Sequence, residues 1–418
     1  MATRLIIEGG SPLAGRVEVS AAKNAALPAL CAALLTAEPV ILDNVPALAD
    51  VSTMRSLLER LGAEFSNPED AGTTVRVARL ASHEAPYELV STMRASVLVL
   101  GPLLARGGVA RVALPGGCAI GLRPIDQHLK GFQKLGADIS IQNGYVEARA
   151  SRLKGTRITT DLVTVTGTEN LMMAAVLAEG TTVLENAARE PEVADLARLL
   201  VAMGARVEGA GTERIEIEGV PEIGGARHRI IPDRVEAGTL LVASAITAGD
   251  VTITGAAPRH LTATLAKLEE CGALISVEGD RVRCEGPERP RAADVITSPF
   301  PGFPTDMQAQ FMALLGVSDG LSKITETIFE NRFMHAAELN RMGARIETDG
   351  STAVVRGVPA YQGAPVMATD LRASASLVLA GLAGGGTTEV SRVYHLDRGY
   401  ERLEDKLRSL GARIQRVR

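Results

Sequence analysis

The sequence predicts an α/β protein built from six copies of one structural unit. Three observations lead to this prediction: a Gly-Ala pair recurs at nearly constant spacing, an Ala/Leu-rich apolar helix precedes each pair, and short strands lie between the helices. The unit is expected to run strand, helix, strand, helix, strand. A helix that is apolar on all sides must be buried on all sides, so the units are expected to enclose their first helices in closed domains.

The Gly-Ala pair is expected to end the second helix of each unit. In every copy it follows a helical pattern and directly precedes a short strand. A glycine after the last apolar helical position is typical of a left-handed C-cap. The six glycines recur at intervals of 68 to 74 residues, at Gly62, Gly136, Gly204, Gly272, Gly343 and Gly411.

The first helices carry cations where the helix dipole disfavours them. Lys23, Arg94 and Arg372 lie at such N-termini, although a helix N-terminus favours anions. A rule that is broken at equivalent places of a repeat indicates function rather than solvated surface charge. The starts are expected at Lys23, Arg94, Thr168, near Glu236, Thr305 and Asp370, with Ser20, Ser91 or Thr92, Thr168, Thr305 and Thr369 as N-caps.

Three further arginines complete a set of six cations at the ends of elements. Arg332 and Arg398 each follow a strand, and Arg123 lies in a Gly/Pro-rich loop. Guanidinium groups bind carboxylate and phosphate bidentately, so the set fits a small ligand that carries both groups. Asp306, in the frame Phe303-Pro304-Thr305-Asp306-Met307, is the carboxylate expected to accept a proton there.

The loop of residues 114–124 contains three glycines, two prolines and, at its middle, Cys118. Such a stretch continues neither a helix nor a central strand and is expected to be mobile. Glycines on one side of the cysteine and Arg123 on the other favour an exposed thiol with thiolate character. Taken alone, the loop favours a surface thiol without a task, and the rest of the chain changes that balance.

Composition excludes several classes of protein. The 418 residues allow two or three domains, and no apolar run reaches the length of a membrane span. The first residues lack the apolar core of a signal peptide, so a cytoplasmic location is expected. A net charge of −5 without a Lys/Arg block gives no reason to expect nucleic acid as a partner. Four widely spaced cysteines and no His/Cys/Asp grouping predict neither a disulfide framework nor a metal.

Seven motifs give the chain a specific resemblance to a known family. It resembles the bacterial UDP-N-acetylglucosamine enolpyruvyl transferases (1-carboxyvinyltransferases), which are relatives of enolpyruvylshikimate-phosphate synthase. The resemblance extends from Lys23 to Arg398, over nearly the whole chain. The motifs are Ala22-Lys23-Asn24-Ala25-Ala26, Thr92-Met93-Arg94-Ala95-Ser96, the Cys118 loop, Phe303-Pro304-Thr305-Asp306-Met307-Gln308, Glu330-Asn331-Arg332-Phe333, Thr369-Asp370-Leu371-Arg372 and Asp397-Arg398-Gly399-Tyr400.

The resemblance implies a fold and a division into domains. The fold would be a two-domain inside-out α/β barrel, each domain made of three repeats of a βαβαββ-type unit with buried helices. Residues 1–20 together with 231–418 would form the C-terminal domain. Residues 21–230 would form the N-terminal domain and carry the Cys118 loop, so that the chain crosses between the domains near residues 20 and 230.

The resemblance also implies a reaction. The enolpyruvyl group of phosphoenolpyruvate would pass to the 3′-hydroxyl of UDP-N-acetylglucosamine by addition and elimination, with release of phosphate. This is the first committed step of peptidoglycan synthesis, on which cell shape and cell division depend. These two small molecules would be the partners, with no cofactor, metal, nucleic acid or membrane. The epoxide fosfomycin, a mimic of phosphoenolpyruvate, would alkylate Cys118.

Roles for individual residues follow from the same resemblance. Asp306 would be the base at the sugar hydroxyl, Cys118 would protonate the methylene carbon and could carry a phospholactoyl adduct, and Asp370 would be a second acid or base. Lys23, Arg123 and Arg398 would hold the phosphate, with Lys23 and Arg398 also counted as catalytic, and Asn24, Arg94, Arg332 and Arg372 would complete the phosphoenolpyruvate site. The UDP-sugar would contact Asn24, Arg94, Arg123, Pro124, Ile125, Asp126, Gln127, Thr164, Asp306 and Ile328.

One departure and two alternatives accompany this interpretation. Some members have Ser-Val-Gly where this chain has Thr164-Val165-Thr166, so only the Thr164 hydroxyl is carried over as a contact. Enolpyruvyl transfer to shikimate phosphate on the same fold is the nearest alternative, although the Cys118 loop is not expected in such enzymes. A non-catalytic repeat scaffold would explain the periodicity but not the six cations.

Overall fold

A computed structural model describes residues 3–67, 72–114 and 125–417 of the chain. Within them the chain forms two compact units. The C unit comprises residues 3–20 and 232–417, and the N unit comprises residues 21–67, 72–114 and 125–231. The sequence places the crossings after residues 20 and 230, and the structure places them after residues 20 and 231. Cys118, Arg123 and Pro124 lie outside the described residues.

The strands are short, three to five residues in most cases. Over the described residues they are β1 (Arg4–Glu8), β2 (Ala14–Glu18), β3 (Val40–Asp43), β4 (Glu64–Ser66), β5 (Thr73–Arg76), β6 (Glu84–Ala85), β7 (Val109–Ala113), β8 (Asp138–Gln142), β9 (Tyr145–Arg149), β10 (Arg157–Thr159), β11 (Thr181–Glu185), β12 (Arg206–Glu208), β13 (Arg214–Glu218), β14 (Arg227–Arg229), β15 (Asp250–Thr254), β16 (Leu274–Glu278), β17 (Arg281–Glu285), β18 (Val295–Ile296), β19 (Leu321–Thr325), β20 (Arg345–Asp349), β21 (Thr352–Arg356), β22 (Pro365–Met367), β23 (Thr387–Ser391) and β24 (Arg413–Val417).

The α-helices alternate with these strands, and short 3₁₀ segments precede or extend several of them. The helices are α1 (Lys23–Ala32), α2 (Ala49–Leu61), α3 (Tyr87–Val90), α4 (Leu100–Gly107), α5 (Asp126–Lys134), α6 (Val165–Ala175), α7 (Pro191–Ala202), α8 (Arg234–Ile246), α9 (Thr262–Glu270), α10 (Gln308–Gly316), α11 (His335–Arg341), α12 (Leu371–Ala383) and α13 (Leu403–Ser409). The 3₁₀ segments are Ala33–Leu35, Arg94–Val99, Pro258–His260, Thr305–Met307 and Val393–Arg398.

The described strands form six four-stranded sheets of one design. In each, a short edge strand pairs in parallel with its neighbour, and the remaining pairs are antiparallel. The N unit contains β14-β3-β5-β4, β6-β7-β9-β8 and β10-β11-β13-β12, and the C unit contains β2-β15-β17-β16, β18-β19-β21-β20 and β22-β23-β1-β24. Three strands join their sheets over long sequence distances: β14 completes the first sheet of the N unit, β2 completes the first sheet of the C unit, and β1 enters the last sheet of the C unit.

The first helix of each repeat is buried, as the apolar composition predicts. In α10 all nine residues are buried, and in α8 every residue from Val235 to Ile246 is buried. The second helices instead bury one face, as α2 does with Met54, Leu57 and Leu61. Three repeats per unit around central helices confirm the predicted inside-out α/β barrel.

All six glycines of the Gly-Ala pairs have positive φ angles, between 91° and 109°. An L-residue with a side chain is strained in this left-handed region, whereas glycine is not. The amide of each following alanine donates to a carbonyl five residues back, as Ala63 does to Leu58 at 2.9 Å. The predicted C-caps are therefore confirmed, and they turn the chain directly from the second helix into the next strand.

The predicted N-caps are largely wrong. Helix α6 begins at Val165 rather than Thr168, and its cap is Thr164, whose Oγ1 accepts from the Gly167 amide at 3.2 Å. The cap of α12 is Asp370 rather than Thr369. A carboxylate can accept two amides at once, which makes aspartate the better cap at that position. Ser20 does not cap α1, because Ala22 occupies the N-cap position.

Arg106 joins three segments of the N unit. Its Nη1 donates to the carbonyl oxygens of Leu34 at 3.0 Å and Thr36 at 2.7 Å, and its Nη2 donates to those of Val77 at 2.9 Å and Ala78 at 3.2 Å. We expect Arg106→Met to lower the free energy of unfolding by about 2–4 kcal/mol, because four carbonyl groups lose a charged donor. Urea unfolding followed by circular dichroism tests this, with the exposed Arg60→Met as control; equal stability of the two variants would contradict it.

Candidate functional site

Asp306 lies between two arginines of the C unit. Oδ1 of Asp306 accepts from Arg332 Nη2 at 2.6 Å, and Oδ2 accepts from Arg372 Nη2 at 2.9 Å. The Arg332 and Arg372 side chains are only 5% and 4% exposed, whereas that of Asp306 is 27% exposed. The 3₁₀ segment Thr305–Met307 leads directly into the buried helix α10 and thereby fixes the carboxylate. The three side chains form a buried ion cluster that is open to solvent on the Asp306 side.

Arg332 is supported from behind by a chain of hydrogen bonds that runs through Thr305 to Glu326. Arg332 Nη1 donates to Thr305 Oγ1 at 2.7 Å, and this hydroxyl donates to Glu326 Oε2 at 2.8 Å. The other carboxylate oxygen of Glu326 accepts from the amides of Ile328 at 2.9 Å and Phe329 at 3.3 Å. Glu326 is almost fully buried. It therefore holds the segment that carries Ile328 in register with the segment that carries Asp306.

Arg372 rests on the ring of Tyr400, with its guanidinium carbon 5.4 Å from the ring centre. The Tyr400 hydroxyl lies 2.9 Å from Thr239 Oγ1 and accepts from Gln310 Nε2 at 3.1 Å. Gln310 also donates to the backbone oxygen of Asp306 at 2.9 Å. This buried network orients both members of the Asp306–Arg372 pair: Gln310 holds the backbone of Asp306, and Tyr400 supports the guanidinium of Arg372.

The ion cluster strongly favours the charged forms of its members. Burial alone would raise the pKa of the Asp306 carboxyl, but Arg372 and Arg332 hold that pKa well below its usual range. Burial likewise would lower the pKa of Arg372, and Asp306 raises it instead. While both arginines remain on Asp306, the carboxylate is a weak base.

Helix α12 begins next to this cluster. Asp370 Oδ1 accepts from the amides of Arg372 at 2.7 Å and Ala373 at 3.0 Å. One carboxylate oxygen of Asp370 is thus committed to capping. His335 at the start of α11 is buried, and its pKa is lowered to about 4 by burial, with Asp370 raising it and Arg332 lowering it. Arg398 ends the 3₁₀ segment Val393–Arg398 in the same unit.

In the N unit, Lys23 begins α1 and is paired with a buried carboxylate. Lys23 Nζ lies 3.1 Å from Asp50 Oδ2, and the two side chains are 11% and 6% exposed. Asn24 follows in the same helical turn. The pair shows how a cation is tolerated at a helix N-terminus, because Asp50 from α2 offsets its repulsion by the helix dipole.

A second group of the N unit joins the start of α5 to the segment before α6. Gln127 Nε2 donates to Asp126 Oδ2 at 2.8 Å and to Asp161 Oδ2 at 3.1 Å, and the Asp161 amide donates to Gln127 Oε1 at 2.8 Å. Ile125 is buried at the N-cap of α5, and the Thr164 hydroxyl caps α6. Gln127 thus contacts Asp161, which precedes Thr164 in the chain. Four residues assigned to the UDP-sugar by resemblance lie in or next to these two segments: Ile125, Asp126, Gln127 and Thr164.

His128 is a buried, neutral member of this unit. Its Nδ1 lies 3.1 Å from Asn170 Nδ2 and its Nε2 lies 3.4 Å from Thr166 Oγ1. Burial, followed by the charge of Arg94, lowers its pKa to about 3. Arg94 begins the 3₁₀ segment that leads into α4. His128 thus supports the interior by hydrogen bonding and does not titrate near neutral pH.

Glu169 is buried in α6, and its Oε1 has no hydrogen-bond partner among the described residues. Burial, followed by Glu192 and Glu190, raises its pKa well above the usual range. A folded-state pKa above the unfolded one lowers stability as pH rises beyond the ordinary glutamate range. We expect Glu169→Gln to stabilise the protein at pH 8 and to change little at pH 4. Urea unfolding at both pH values tests this, with exposed Glu208→Gln as control; a pH-independent effect would contradict it.

The three described cysteines do not supply a reactive thiol. Cys31, Cys271 and Cys284 are buried, and burial raises the pKa of Cys271 and of Cys284 to about 12 and that of Cys31 still further. Over residues 3–67, 72–114 and 125–417, no group of three or more His, Cys, Asp and Glu side chains is arranged to hold a metal ion. No helix in the same ranges combines the length and apolar character needed to cross a bilayer.

Sequence reasoning missed the acidic residues that support the predicted site residues directly or through a neighbour. Asp50, Glu326 and Asp161 belong to no motif that draws attention to them, and their role depends on contacts across the fold. Tyr400 stands in a recognised motif, but its position under Arg372 is not readable from the sequence. Glu326 directly follows β19 and continues the alternation of its buried residues Ser322 and Ile324. An acidic residue at such a position is the local signal that could have marked it.

Comparison with known proteins gives consistent matches over the whole chain. The family model "EPSP synthase (3-phosphoshikimate 1-carboxyvinyltransferase)" matches residues 7–407. The crystal structure of the enolpyruvyl transferase NikO from Streptomyces tendae is 27% identical, with a TM-score of 0.89 over 100% of this chain and 99% of that chain. EPSP synthase from Acinetobacter baumannii shares the fold at 17% identity, with a TM-score of 0.76 over 100% of both chains. The chain therefore belongs to the EPSP synthase family of enolpyruvyl transferases.

Proposed function

We propose that the protein transfers the enolpyruvyl group of phosphoenolpyruvate to the 3′-hydroxyl of UDP-N-acetylglucosamine and releases phosphate. The observation that carries this proposal is the pair of buried arginines on the two oxygens of Asp306. It provides cations for an anionic substrate and a carboxylate for proton transfer within one cluster. The product would be the first committed intermediate of peptidoglycan synthesis, made in the cytoplasm and needed for cell shape and division.

The reaction consists of an addition followed by an elimination. In the addition, the sugar oxygen bonds to C2 of phosphoenolpyruvate, its proton goes to Asp306, and C3 gains a proton from the Cys118 thiol. In the elimination, the tetrahedral phospho-ketal loses a proton from C3 and phosphate from C2, which restores the double bond. Asp370 would take part as a second acid or base through the carboxylate oxygen that does not cap α12.

The cations are assigned to the two anionic groups of phosphoenolpyruvate. Arg94, Arg332 and Arg372 would hold the carboxylate and the ketal, and Asn24 would complete the site. Lys23, Arg123 and Arg398 would hold the phosphate. Such groups lower the barrier mainly by orienting the substrate and by neutralising its charge away from water.

Asp306 can act as a base only if the substrate draws its two arginine partners away from it. The arginines assigned to the substrate carboxylate are the same two that hold Asp306. When they turn to the substrate, Asp306 loses its cationic partners, and its pKa rises toward the range of a useful base. Binding of the acid substrate and activation of the base are thus one event in this proposal.

The acceptor is assigned from the N unit and from Ile328. Gln127 and Asp161 join the start of α5 to the segment that ends at Thr164, where a diphosphate could accept from the Thr164 hydroxyl. Arg123 and Pro124 would extend this site. Ile328 is held by its amide on Glu326 and would face the sugar together with Asp306.

The direct test is phosphate release from phosphoenolpyruvate with UDP-N-acetylglucosamine, with shikimate 3-phosphate, and with no acceptor. We expect release only with the UDP-sugar, together with a gain in intact mass that is lost in Cys118→Ser. If phosphate were released with shikimate 3-phosphate but not with the UDP-sugar, shikimate 3-phosphate would be the acceptor instead. That second function is favoured by the description of the matching family model. No release with either acceptor would favour a scaffold that has kept the fold and lost the chemistry.

The thiol of Cys118 is the group on which the proposed inhibition by fosfomycin depends. We expect fosfomycin to alkylate Cys118 and abolish activity, because the epoxide mimics phosphoenolpyruvate and a thiolate is the nucleophile that opens it. Cys118→Asp is expected to remain active, since a carboxylic acid can also donate a proton, and to resist the drug. Residual activity and intact mass after incubation test this. Inactivation of the aspartate variant, or a mass gain on another cysteine, would contradict it.

A further inference from the structure

We infer that Arg416 is a positioning residue that holds the segment of residues 393–404, and with it Arg398, in the conformation that binds phosphate. The role of Arg398 in binding phosphate rests on the proposed function. The holding role itself rests on the contacts of Arg416 in the C unit. Arg416 lies on β24, the last strand of the chain, opposite Leu5 of β1.

One guanidinium contacts this segment on both sides of Arg398. Arg416 Nη1 and Nη2 donate to the two carboxylate oxygens of Asp397 at 2.9 and 2.7 Å, and Nε donates to Glu404 Oε1 at 2.6 Å. Asp397 immediately precedes Arg398 at the end of the 3₁₀ segment, whereas Glu404 lies in the first turn of α13. Nε, Nη1 and Nη2 of Arg416 thus all donate to carboxylates that lie before or after Arg398 in the chain.

The segment needs such support because its 3₁₀ segment Val393–Arg398 and the start of α13 at Leu403 are joined by irregular backbone. Arg392 before it and Arg402 within it both have left-handed backbone angles, with φ of 57° and 47°. Residues other than glycine are disfavoured there and keep that conformation only when their surroundings enforce it. In the middle of the segment, Tyr400 is fixed by its hydroxyl to Thr239 and Gln310. Arg416 and Tyr400 together fix the backbone on both sides of Arg398.

The contacts require arginine rather than any cation. The planar fork of a guanidinium matches a carboxylate bidentately and still presents Nε in a third direction, which an ammonium group cannot do. The side chain of Arg416 is 29% exposed and that of Asp397 is 41% exposed. The pair with Asp397 is therefore expected to contribute little to global stability. The Glu404 side chain is only 10% exposed, so loss of Arg416 is also expected to lower the stability of the C unit somewhat, because a nearly buried carboxylate loses its partner.

The experiment compares Arg416→Met and Arg416→Lys with the control Arg413→Met on the same strand, whose side chain is 69% exposed and lies 3.8 Å from Glu8. Hydrogen exchange of the backbone amides 393–403 reports the conformation without any substrate. We expect exchange of these amides to be at least tenfold faster in both Arg416 variants and unchanged in the control, while the amides of the buried helix α10 exchange at the wild-type rate.

Kinetics then separate positioning from a general structural effect. For both Arg416 variants we expect the KM for phosphoenolpyruvate and the inhibition constant of inorganic phosphate to rise about tenfold, while the KM for UDP-N-acetylglucosamine changes less than twofold. Unchanged exchange would overturn the inference, and so would equal losses for both substrates or normal kinetics in Arg416→Lys. If the wild-type protein released no phosphate, the proposed function would fail, and the exchange rates alone would still decide whether Arg416 holds the segment.

Discussion

Replacement of Asp306 by asparagine is expected to lower kcat by about 10³-fold and, at the same time, to tighten the binding of 2-phospholactate. This saturated analogue keeps the carboxylate and phosphate of phosphoenolpyruvate but cannot accept a proton at its methyl carbon. Loss of the proposed base would account for the fall in kcat, within the range of about 10² to 10⁴ that general bases contribute. Loss of the carboxylate leaves Arg332 and Arg372 without an anion in a buried site, and the ligand can supply one.

Calorimetric titration of 2-phospholactate into the wild type and Asp306→Asn measures this competition directly. Titration in buffers of different ionisation enthalpy adds a second readout: at pH 6 the wild type is expected to take up protons on binding, because Asp306 becomes more basic when the arginines leave it. Asp306→Asn should show no such uptake. Asp319→Asn is a suitable control, since Asp319 is 78% exposed and lies 3.5 Å from Arg289. Weaker binding in Asp306→Asn would show that the arginines do not exchange partners.

Replacement of Arg372 by methionine is expected to have the second large effect. Its guanidinium is buried, bonded to Asp306 at 2.9 Å and stacked on Tyr400. Removing one partner of a buried ion pair costs about 3–5 kcal/mol of stability when the other charge is left uncompensated. Arg332 still contacts Asp306 at 2.6 Å, so we expect a loss of about 3 kcal/mol or less. We also expect kcat/KM for phosphoenolpyruvate to fall at least 10²-fold, since a charge-assisted bidentate contact to the substrate carboxylate is lost.

Arg372→Lys keeps the charge and tests the geometry. An ammonium group offers neither the bidentate fork nor the flat face that packs on Tyr400, so most of the loss in kcat/KM should remain while part of the stability returns. Steady-state kinetics and urea unfolding of both variants, compared with the exposed Arg283→Met, measure the two effects separately. Full activity of Arg372→Lys would show that charge alone suffices at this position and would contradict the bidentate assignment.

Several features of the fold follow from local sequence. The six glycines predict their own left-handed caps, because the requirement for a positive φ is satisfied within one helical turn. The apolar composition of the first helices likewise predicts burial on all sides. Regular spacing of these two signals was enough to predict six units. The resemblance then supplied their grouping into two inside-out domains.

N-caps were harder to predict, although they are also local. Around α6 and α12, several Thr and Asp residues lie within one turn of the helix start, and each is an acceptable cap. The choice of Thr164 and Asp370 depends on how the preceding chain approaches the helix. That approach is set by the sheets, which composition does not reveal.

The site combines what the sequence could predict with what it could not. The sequence alone determined which cations and which carboxylate stand at the ends of elements, because a charge that opposes the helix dipole is visible in the chain itself. Only the tertiary structure decided that Asp306 accepts from arginines 26 and 66 residues away, that Lys23 is paired with Asp50, and that Arg416 clamps Asp397. These pairings carry no periodic or compositional signal. They arise because three repeats close on one another and bring the ends of distant elements together, which no local pattern specifies.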